Sequence, residues 1–170
     1  MYKSYVTTGR NENMGKMVYF KGKEEYKMLD IKDVAKYLLT KSQMTHKKLQ
    51  KLCYYVYSWH LAIFNEKIMD CRFEAWVHGP VCLDLYDEYR GEYDIGKIEE
   101  AVSIGEKQGF IDDIYKIYKD YTGDMLETLT HTEDPWVNAR RGLPPWQPGN
   151  RRISDSDIVS YYGTELNGLS

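Results

Sequence analysis

Residues 45–64 constrain the fold most, because they predict one long helix with a wide apolar face. The residues at helical spacing that form this face are Leu49, Leu52, Cys53, Val56, Trp59, His60, Ile63 and Phe64. The opposite side is formed by Lys47, Lys51, Tyr54 and Ser58. Thr45 is placed to cap the first turn. A stripe of this length needs neighbours along its whole course, so we predict that this helix is the central element.

Shorter patterns predict further helices on both sides of it. Asp30 can cap a helix that begins at Ile31, and later helices are expected around residues 92–110, 111–121, 125–130, 134–141 and 154–163. Residues 73–78 alternate in polarity and predict a short strand. We predict that Pro80 begins the next helix, and that Pro135, behind a capping Asp134, begins another.

These patterns together predict a mainly α fold, a compact single-domain helical bundle with a short extended strand near residues 72–78. The 170 residues amount to one domain. No apolar run is long enough to cross a bilayer, and no secretory signal opens the sequence, so we predict a cytoplasmic protein with no membrane partner. Three cysteines, an odd number without Cys-x-x-Cys spacing, predict reduced thiols in the core.

The N-terminal segment differs from the body in composition. Residues 1–27 carry six Lys or Arg and three Glu, so they are basic. Residues 28–170 carry 17 Lys or Arg and 23 Asp or Glu, so they are acidic. We expect residues 1–27 to be a flexible extension, in which residues 17–20 can pair as a strand, or the product of an upstream start with Met28 as the true initiator. The folded domain is then residues 28–166, and residues 167–170 are a frayed end.

The catalytic signals are weak. A metal site formed by Glu74, His60, His78 and His131 is conceivable, and it would make the chain a small metal-dependent hydrolase. No His-x-x-x-His pair, phosphate-binding loop or nucleophile elbow supports such a site. We therefore expect no enzymatic activity and no cofactor.

A nucleic-acid-binding or transcriptional regulator of a prophage is the main alternative function. Lys47, Lys48 and Lys51 lie at the start of the long helix, and a shorter helix precedes it, loosely as in a helix-turn-helix. The net charge of −3 and the acidic body disfavour contact with phosphates. Sixteen tyrosines and four tryptophans are more typical of a protein-binding surface.

Four blocks of residues, taken together and in order, resemble a known family. They are Thr45-His46-x-Lys48-Leu49-Gln50-Lys51-Leu52-x-Tyr54-Tyr55-x-x-x-Trp59-His60-Leu61, Glu74-Ala75-Trp76-x-x-Gly79-Pro80-Val81, Leu129-Thr130-His131-x-Glu133-x-Pro135-Trp136-x-x-Ala139-Arg140, and the segment from Ile153 to Tyr161-Tyr162. This arrangement resembles the Panacea domain, or SocA-like antitoxin family, which includes the GepA-type proteins of phages. The resemblance covers about residues 29–166.

The resemblance implies a mainly helical fold and the role of antitoxin in a two-gene toxin–antitoxin module. Its partner would be a cognate toxin protein encoded by a neighbouring gene, neutralised by direct contact. Residues 142–150, with a Leu-Pro-Pro-Trp run, are where a family-variable surface would fit. The acidic body would complement a basic toxin.

Eight residues of these blocks are candidates for binding the partner or fixing the fold: Trp59, His60, Trp76, His78, Pro80, His131, Trp136 and Arg140. Two hypotheses remain open for the last part of this set. In one, His78, His131, Trp136 and Arg140 meet as a buried polar cluster that fixes the fold. In the other, they line a groove that holds a segment of the toxin.

Overall fold

The fold comes from a computed structural model, which describes residues 8–9, 11–15, 27–100 and 102–168. Seven α-helices lie in this part of the chain: α1 (Ile31–Leu39), α2 (His46–Phe64), α3 (Leu83–Glu88), α4 (Gln108–Tyr118), α5 (Gly123–Thr130), α6 (Asp134–Ala139) and α7 (Asp155–Gly168). Six short strands accompany them: β1 (Thr8–Gly9), β2 (Asn11–Gly15), β3 (Met44–Thr45), β4 (Glu74–Trp76), β5 (Gly79–Val81) and β6 (Asp94–Ile95). The prediction of a mainly α fold is confirmed.

Helix α2 is the central element, as its apolar stripe predicts. It packs against α1, α3, α4, α5 and α7 and against the strand β5. Thr45 caps it, since its side-chain oxygen accepts the backbone N–H of Lys48 at 3.1 Å. The helix ends at Asn65, whose positive φ of 53° closes the last turn through a hydrogen bond to Leu61.

The prediction of a polar side on α2 is wrong. Lys51, Tyr54 and Ser58 are as fully buried as the apolar stripe. Because neighbouring elements surround α2, every residue from Leu49 to Leu61 is buried. Helical periodicity reports one apolar face, but it does not report how many elements pack around the helix.

The predicted strand near residues 72–78 is confirmed in position, but it is the first half of a hairpin. Strand β4 pairs with β5 in antiparallel register, with Ala75 opposite Pro80 and Trp76 opposite Gly79. Pro80 therefore lies in a strand, and the prediction that it begins a helix is wrong. Gly79 has a φ of +93°, which turns the chain back on itself, and α3 begins only at Leu83.

Strand β4 has a neighbour on its other side as well. The backbone N–H of Ala75 donates to the carbonyl of Arg151 at 2.8 Å, and that of Ile153 donates to the carbonyl of Phe73 at 2.8 Å. Residues 151–153 thus run along β4 and carry the chain into α7. The long loop before them is fixed at its end to the hairpin.

The prediction of a separate helix over residues 92–110 is wrong. Asp94–Ile95 form β6, which pairs antiparallel with β3, and α4 starts at Gln108 after a 3₁₀ turn at Gly105–Lys107. Strands β1 and β2 pair antiparallel in the N-terminal segment. The strand predicted for residues 17–20 lies outside the described residues.

Helix α6 begins with Pro135 in its first turn, as predicted, but its cap is Glu133 rather than Asp134. The Glu133 carboxylate makes no capping bond, because it accepts the hydroxyls of Tyr55 at 3.0 Å and Tyr162 at 2.7 Å. Burial raises the pKa of Glu133 to about 7, in opposition to these two hydrogen bonds. This buried carboxyl joins α2 and α7 at the start of α6.

Local predictions at the two ends of the domain have different outcomes. Asp30 caps α1 as predicted, accepting the N–H of Lys32 at 2.8 Å. Helix α7 continues to Gly168, past the predicted end at Gly163. Cys53, Cys71 and Cys82 are buried and unpaired, which confirms the prediction of core thiols.

Candidate partner-binding groove

An open groove of about 710 Å³ lies between the β4–β5 hairpin and the loop of residues 143–150, which we call the Trp146 loop. The hairpin side contributes Trp76, Val77, His78 and Val81, and the loop side contributes Trp146, Pro148, Gly149 and Asn150. The lining is mostly apolar and aromatic, with a few polar groups at its edge. Such a lining is typical of surfaces that bind a partner.

Trp146 is the exposed aromatic residue of this groove. Its side chain is 77% exposed, whereas Trp76 across from it is half-buried. The Trp76 ring packs on Tyr86 with centroids 5.0 Å apart, and its indole N–H donates to Glu74 at 2.8 Å. One wall of the groove is therefore fixed, and the other presents a large uncovered side chain.

A layer of packed side chains supports the hairpin from behind. Trp136 is buried, and its indole N–H donates to the carbonyl of Trp76 at 3.0 Å. The His131 ring stacks on Trp136 with centroids 4.0 Å apart. Burial lowers the pKa of His131, which favours the neutral imidazole.

Arg140 holds the hairpin and the Trp146 loop together. One guanidinium nitrogen donates to the carbonyl of Ala75 at 3.0 Å, and another donates to Gln147 at 2.7 Å and to Pro144 and Pro145 at 3.2 and 3.3 Å. The guanidinium also lies 5.1 Å from the centre of the Trp136 ring. Because a buried cation binds four loop and strand carbonyls, the shape of this irregular loop is set from inside.

The far edge of the hairpin is held by two consecutive residues of α2. The Gln50 side chain donates to the carbonyl of Cys82 at 3.2 Å and accepts its N–H at 3.0 Å, so its amide pairs the backbone as a neighbouring strand would. The Lys51 ammonium donates to the carbonyl of Pro80 at 3.1 Å. Burial lowers the pKa of Lys51 to about 7.

Charged residues link α5 to the groove edge. His78 is exposed, and its Nδ1 lies 2.9 Å from Glu127, which also pairs with Lys47 at 2.5 Å. Burial acts to raise the pKa of Glu127, but the bonds from Lys47 and His78 outweigh it and lower the pKa. Lys47 binds Asp124 as well, at 2.8 Å.

The structure divides the eight candidate residues into three groups. Trp76 and His78 line the groove, and Pro80 is buried in the same hairpin. His131, Trp136 and Arg140 form the layer behind it. Trp59 and His60 lie elsewhere on α2. Trp59 donates to the hydroxyl of Tyr118 at 2.9 Å, and His60 is bonded to the carbonyl of Glu66 and packs on Phe110.

Three further residues support this site, and sequence reasoning did not assign them to it. Gln50, Lys51 and Glu133 all stand inside the family-like blocks, so the signal was present in the motif. A polar residue within a helical pattern is ordinarily assigned to solvent, and only its contacts reveal that it holds buried backbone or hydroxyl groups.

The chemistry required by the two alternative functions is not assembled in the described part of the chain. No three His, Cys, Asp or Glu side chains there are grouped to hold a metal ion, so Glu74, His60, His78 and His131 do not form the conceived site. The lysines of the supposed DNA-binding helix have other partners. Lys47 pairs with acidic residues, Lys48 donates to the carbonyl of Lys119, and Lys51 is buried.

The family model described as "Antitoxin SocA-like, Panacea domain" matches residues 49–137, slightly more than half of the chain. The chain belongs to this family. No curated protein and no solved structure matches the chain in the other two comparisons. Membership of the SocA-like Panacea family assigns the chain an antitoxin-type role in general, with a toxin as the implied kind of partner.

The matched region includes only one wall of the groove. Helix α2 from Leu49 onward and the β4–β5 hairpin lie within the Panacea match, as do α5 and the start of α6. The match ends before Arg140 and before the Trp146 loop. One wall of the groove is thus part of the recognised Panacea region, and the other lies outside it. In addition, no helix of the described residues is both long and apolar enough to span a membrane.

Proposed function

We propose that this chain is the antitoxin of a two-gene module and neutralises the toxin of the neighbouring gene by direct protein contact. We assign the contact to the groove between the β4–β5 hairpin and the Trp146 loop. The observation that carries this assignment is the 77% exposure of Trp146 opposite Trp76, in a member of an antitoxin family. Exposed tryptophans beside a groove are frequent anchors of protein interfaces.

The construction of the groove supports a binding role. Arg140 fixes the loop through backbone carbonyls, and Gln50 and Lys51 fix the hairpin from α2. A surface that is already ordered loses little conformational entropy when a partner binds, so more of the contact energy appears as affinity. Tight binding is what stoichiometric neutralisation of a toxin requires, with an interface of roughly 1,600 Å².

A growth-rescue assay with matched variants tests the proposal. The neighbouring gene is expressed from an inducible promoter, alone or with the full chain as wild type, W146A or Y93A. Tyr93 is a suitable control because it is also 77% exposed and is not among the groove-lining residues. We expect arrest by the neighbour alone, rescue by wild type and Y93A, and impaired rescue by W146A at equal soluble levels.

Direct contact is measured separately by co-purification of the two proteins and by titration calorimetry. We expect W146A to weaken binding by about tenfold or more, as for an interface anchor, and Y93A to leave it within about twofold. Arrest that the wild-type chain does not reverse would refute the antitoxin role. Rescue that W146A supports as well as wild type would refute the groove as the contact surface.

A further inference from the structure

The charge of the groove region is opposite to that of the rest of the domain. Residues 135–154 contain four arginines and no Asp or Glu. The remainder of residues 28–170 carries 13 Lys or Arg against 23 Asp or Glu. This cationic segment within an acidic domain creates a local positive potential, and the sequence places it at the Trp146 loop.

The four arginines have different surroundings. Arg140 is buried and bound to carbonyls, and Arg152 pairs with Asp155 at 2.9 Å. Arg141 and Arg151 are exposed. Arg141 donates to the Asn138 side chain at 3.2 Å, and Arg151 donates to the carbonyl of Arg141 at 2.8 Å. Within the described part of the chain, neither of these two cations forms an ion pair.

Arg151 adjoins the groove in sequence, and it is joined to Arg141 because its guanidinium donates to the Arg141 carbonyl. Arg151 directly follows the lining residue Asn150, and its carbonyl is bonded to Ala75 of β4. The lining itself includes no Asp or Glu among the described residues. Glu74 is the acidic residue of the hairpin, and its carboxylate already accepts the indole N–H of Trp76.

We infer that the groove binds an extended segment of the toxin that combines acidic with apolar side chains. The apolar side chains would pack between Trp76 and Trp146, and the carboxylates would reach Arg141 and Arg151, whose guanidinium groups bind carboxylates in a forked geometry. The acidic remainder of the domain repels such a segment and directs it to this face. This inference rests on the proposed function and specifies the chemistry of its partner. It reverses, at the contact surface, the expectation of a basic toxin.

Binding of designed peptides to the purified full chain tests this chemistry. Three fluorescent peptides of equal length are compared by anisotropy: one alternates aspartate with leucine, one alternates lysine with leucine, and one alternates serine with leucine. A single-stranded DNA oligonucleotide serves as a fourth probe. We expect the aspartate peptide to bind at least about tenfold more tightly than the other three, with an affinity that falls as salt is added.

Charge reversal with a matched control locates the site. The double variant R141E/R151E is compared with K116E/K119E, which changes the net charge equally at exposed positions of α4 and just after it. We expect R141E/R151E to lower the affinity for the aspartate peptide by about tenfold or more, and K116E/K119E to lower it by no more than about twofold. W146A should lower the affinity for all three leucine-containing peptides by the same factor, because it removes an apolar contact.

The outcomes separate this inference from the proposed function. Equal binding of the three peptides, or an equal effect of the two charge reversals, would overturn the inference. Tightest binding of the oligonucleotide would overturn it in favour of a nucleic-acid groove. Growth rescue by the wild-type chain that R141E/R151E supports unchanged would overturn the inference and leave the antitoxin role intact. Preference for the aspartate peptide without any growth rescue would support an acidic and apolar ligand for the groove but refute a toxin as its source.

Discussion

Lys51 packs so closely on Gly79 that a side chain at position 79 would have to displace it. A Cβ atom on Gly79 would lie 2.5 Å from Cε of Lys51 and 2.9 Å from the hydroxyl of Thr130. The Lys51 ammonium also donates to the carbonyl of Pro80, the next residue along the chain. The hairpin turn is therefore seated directly on α2, and the contact joins two of the sequence blocks that mark the family.

The glycine at this turn is expected to be essential for stability. G79A combines a positive φ of +93° with a steric clash, and we expect it to lower the free energy of unfolding by at least about 2 kcal/mol. G91A is the matched control, because Gly91 has a φ of +88° and nothing within 4 Å of the added Cβ. It should cost only about 1 kcal/mol. Urea unfolding measures both, and equal losses would contradict the close contact with Lys51.

The buried Lys51 makes the free energy of unfolding depend on pH in the neutral to alkaline range. The pKa of Lys51 falls to about 7 in the folded chain from an ordinary 10.5. Between pH 7 and pH 10.5 the unfolded chain therefore binds more protons at this lysine than the folded chain does. Stability must then rise with pH, by up to about 1.4 kcal/mol per unit from this group. We expect K51M to remove this rise between pH 7 and 9, and K116M, at an exposed position, to retain it. Parallel slopes for wild type and K51M would show that the lysine is not desolvated.

The buried carboxyl of Glu133 has the opposite effect at acidic pH. Its pKa is raised to about 7 from 4.5, so the folded chain binds the extra proton in this window and stability falls as pH rises through it. The expected loss is about 3 kcal/mol across the window. Burial lowers the pKa of His60 to about 4, which opposes this trend in the wild type.

A comparison of variants isolates the Glu133 contribution. The stability of E133Q relative to wild type should increase steadily from pH 4.5 to 7, because glutamine keeps the contacts with Tyr55 and Tyr162 without a charge. E99Q, at an exposed glutamate, should follow the wild-type profile. A constant difference between E133Q and wild type across this range would refute a raised pKa for Glu133.

Arg140 is expected to set the order of the Trp146 loop. Lysine at this position cannot reach several carbonyls at once, so we expect R140K to lower stability by about 2 kcal/mol and to expose the loop to proteolysis. R141K is the control, since Arg141 is exposed and makes a single bond to Asn138. The rate of limited trypsin cleavage at Arg151 measures how well the loop is ordered. Equal cleavage of R140K and R141K would show that the buried guanidinium does not hold the loop in place.

The two histidines near the groove should respond differently to removal. His131 stacks on the buried Trp136, so H131A should lower stability by about 1–3 kcal/mol and leave toxin affinity per folded molecule unchanged. His78 is exposed at the groove edge, so H78A should change stability by no more than about 0.5 kcal/mol and weaken toxin binding. Thermal unfolding measures the stability of both variants, and calorimetry measures their toxin affinity. Loss of stability in H78A and loss of affinity in H131A would contradict these two assignments.

Much of the helical framework could be predicted because its signals are local. The Asp30 and Thr45 caps, the apolar stripe of α2 and the proline in the first turn of α6 each depend on a few neighbouring residues. The strand at 74–76 was also visible in its alternation. Pro80 was misassigned because a proline after glycine suits both a helix start and a turn, and pairing with Ala75 decides between them.

The candidate groove could be predicted only in part. The Trp146 loop was visible as an irregular, proline-rich segment, and Trp76 and His78 stood in a family-like block. The separation of groove-lining residues from those behind them was not visible, because His131 and Arg140 are distant in sequence from the strand carbonyls and rings that they contact.

By itself, the sequence determined the mainly helical class, the central position of α2 and membership of an antitoxin family. These follow from periodicity, capping and motif spacing, which are properties of short segments. The tertiary structure decided that Lys51 is buried, that the Glu133 carboxyl binds two tyrosines, and that Arg140 shapes the loop facing Trp76. Each of these depends on which distant groups surround a side chain, because desolvation and hydrogen-bond partners are set by packing rather than by local order.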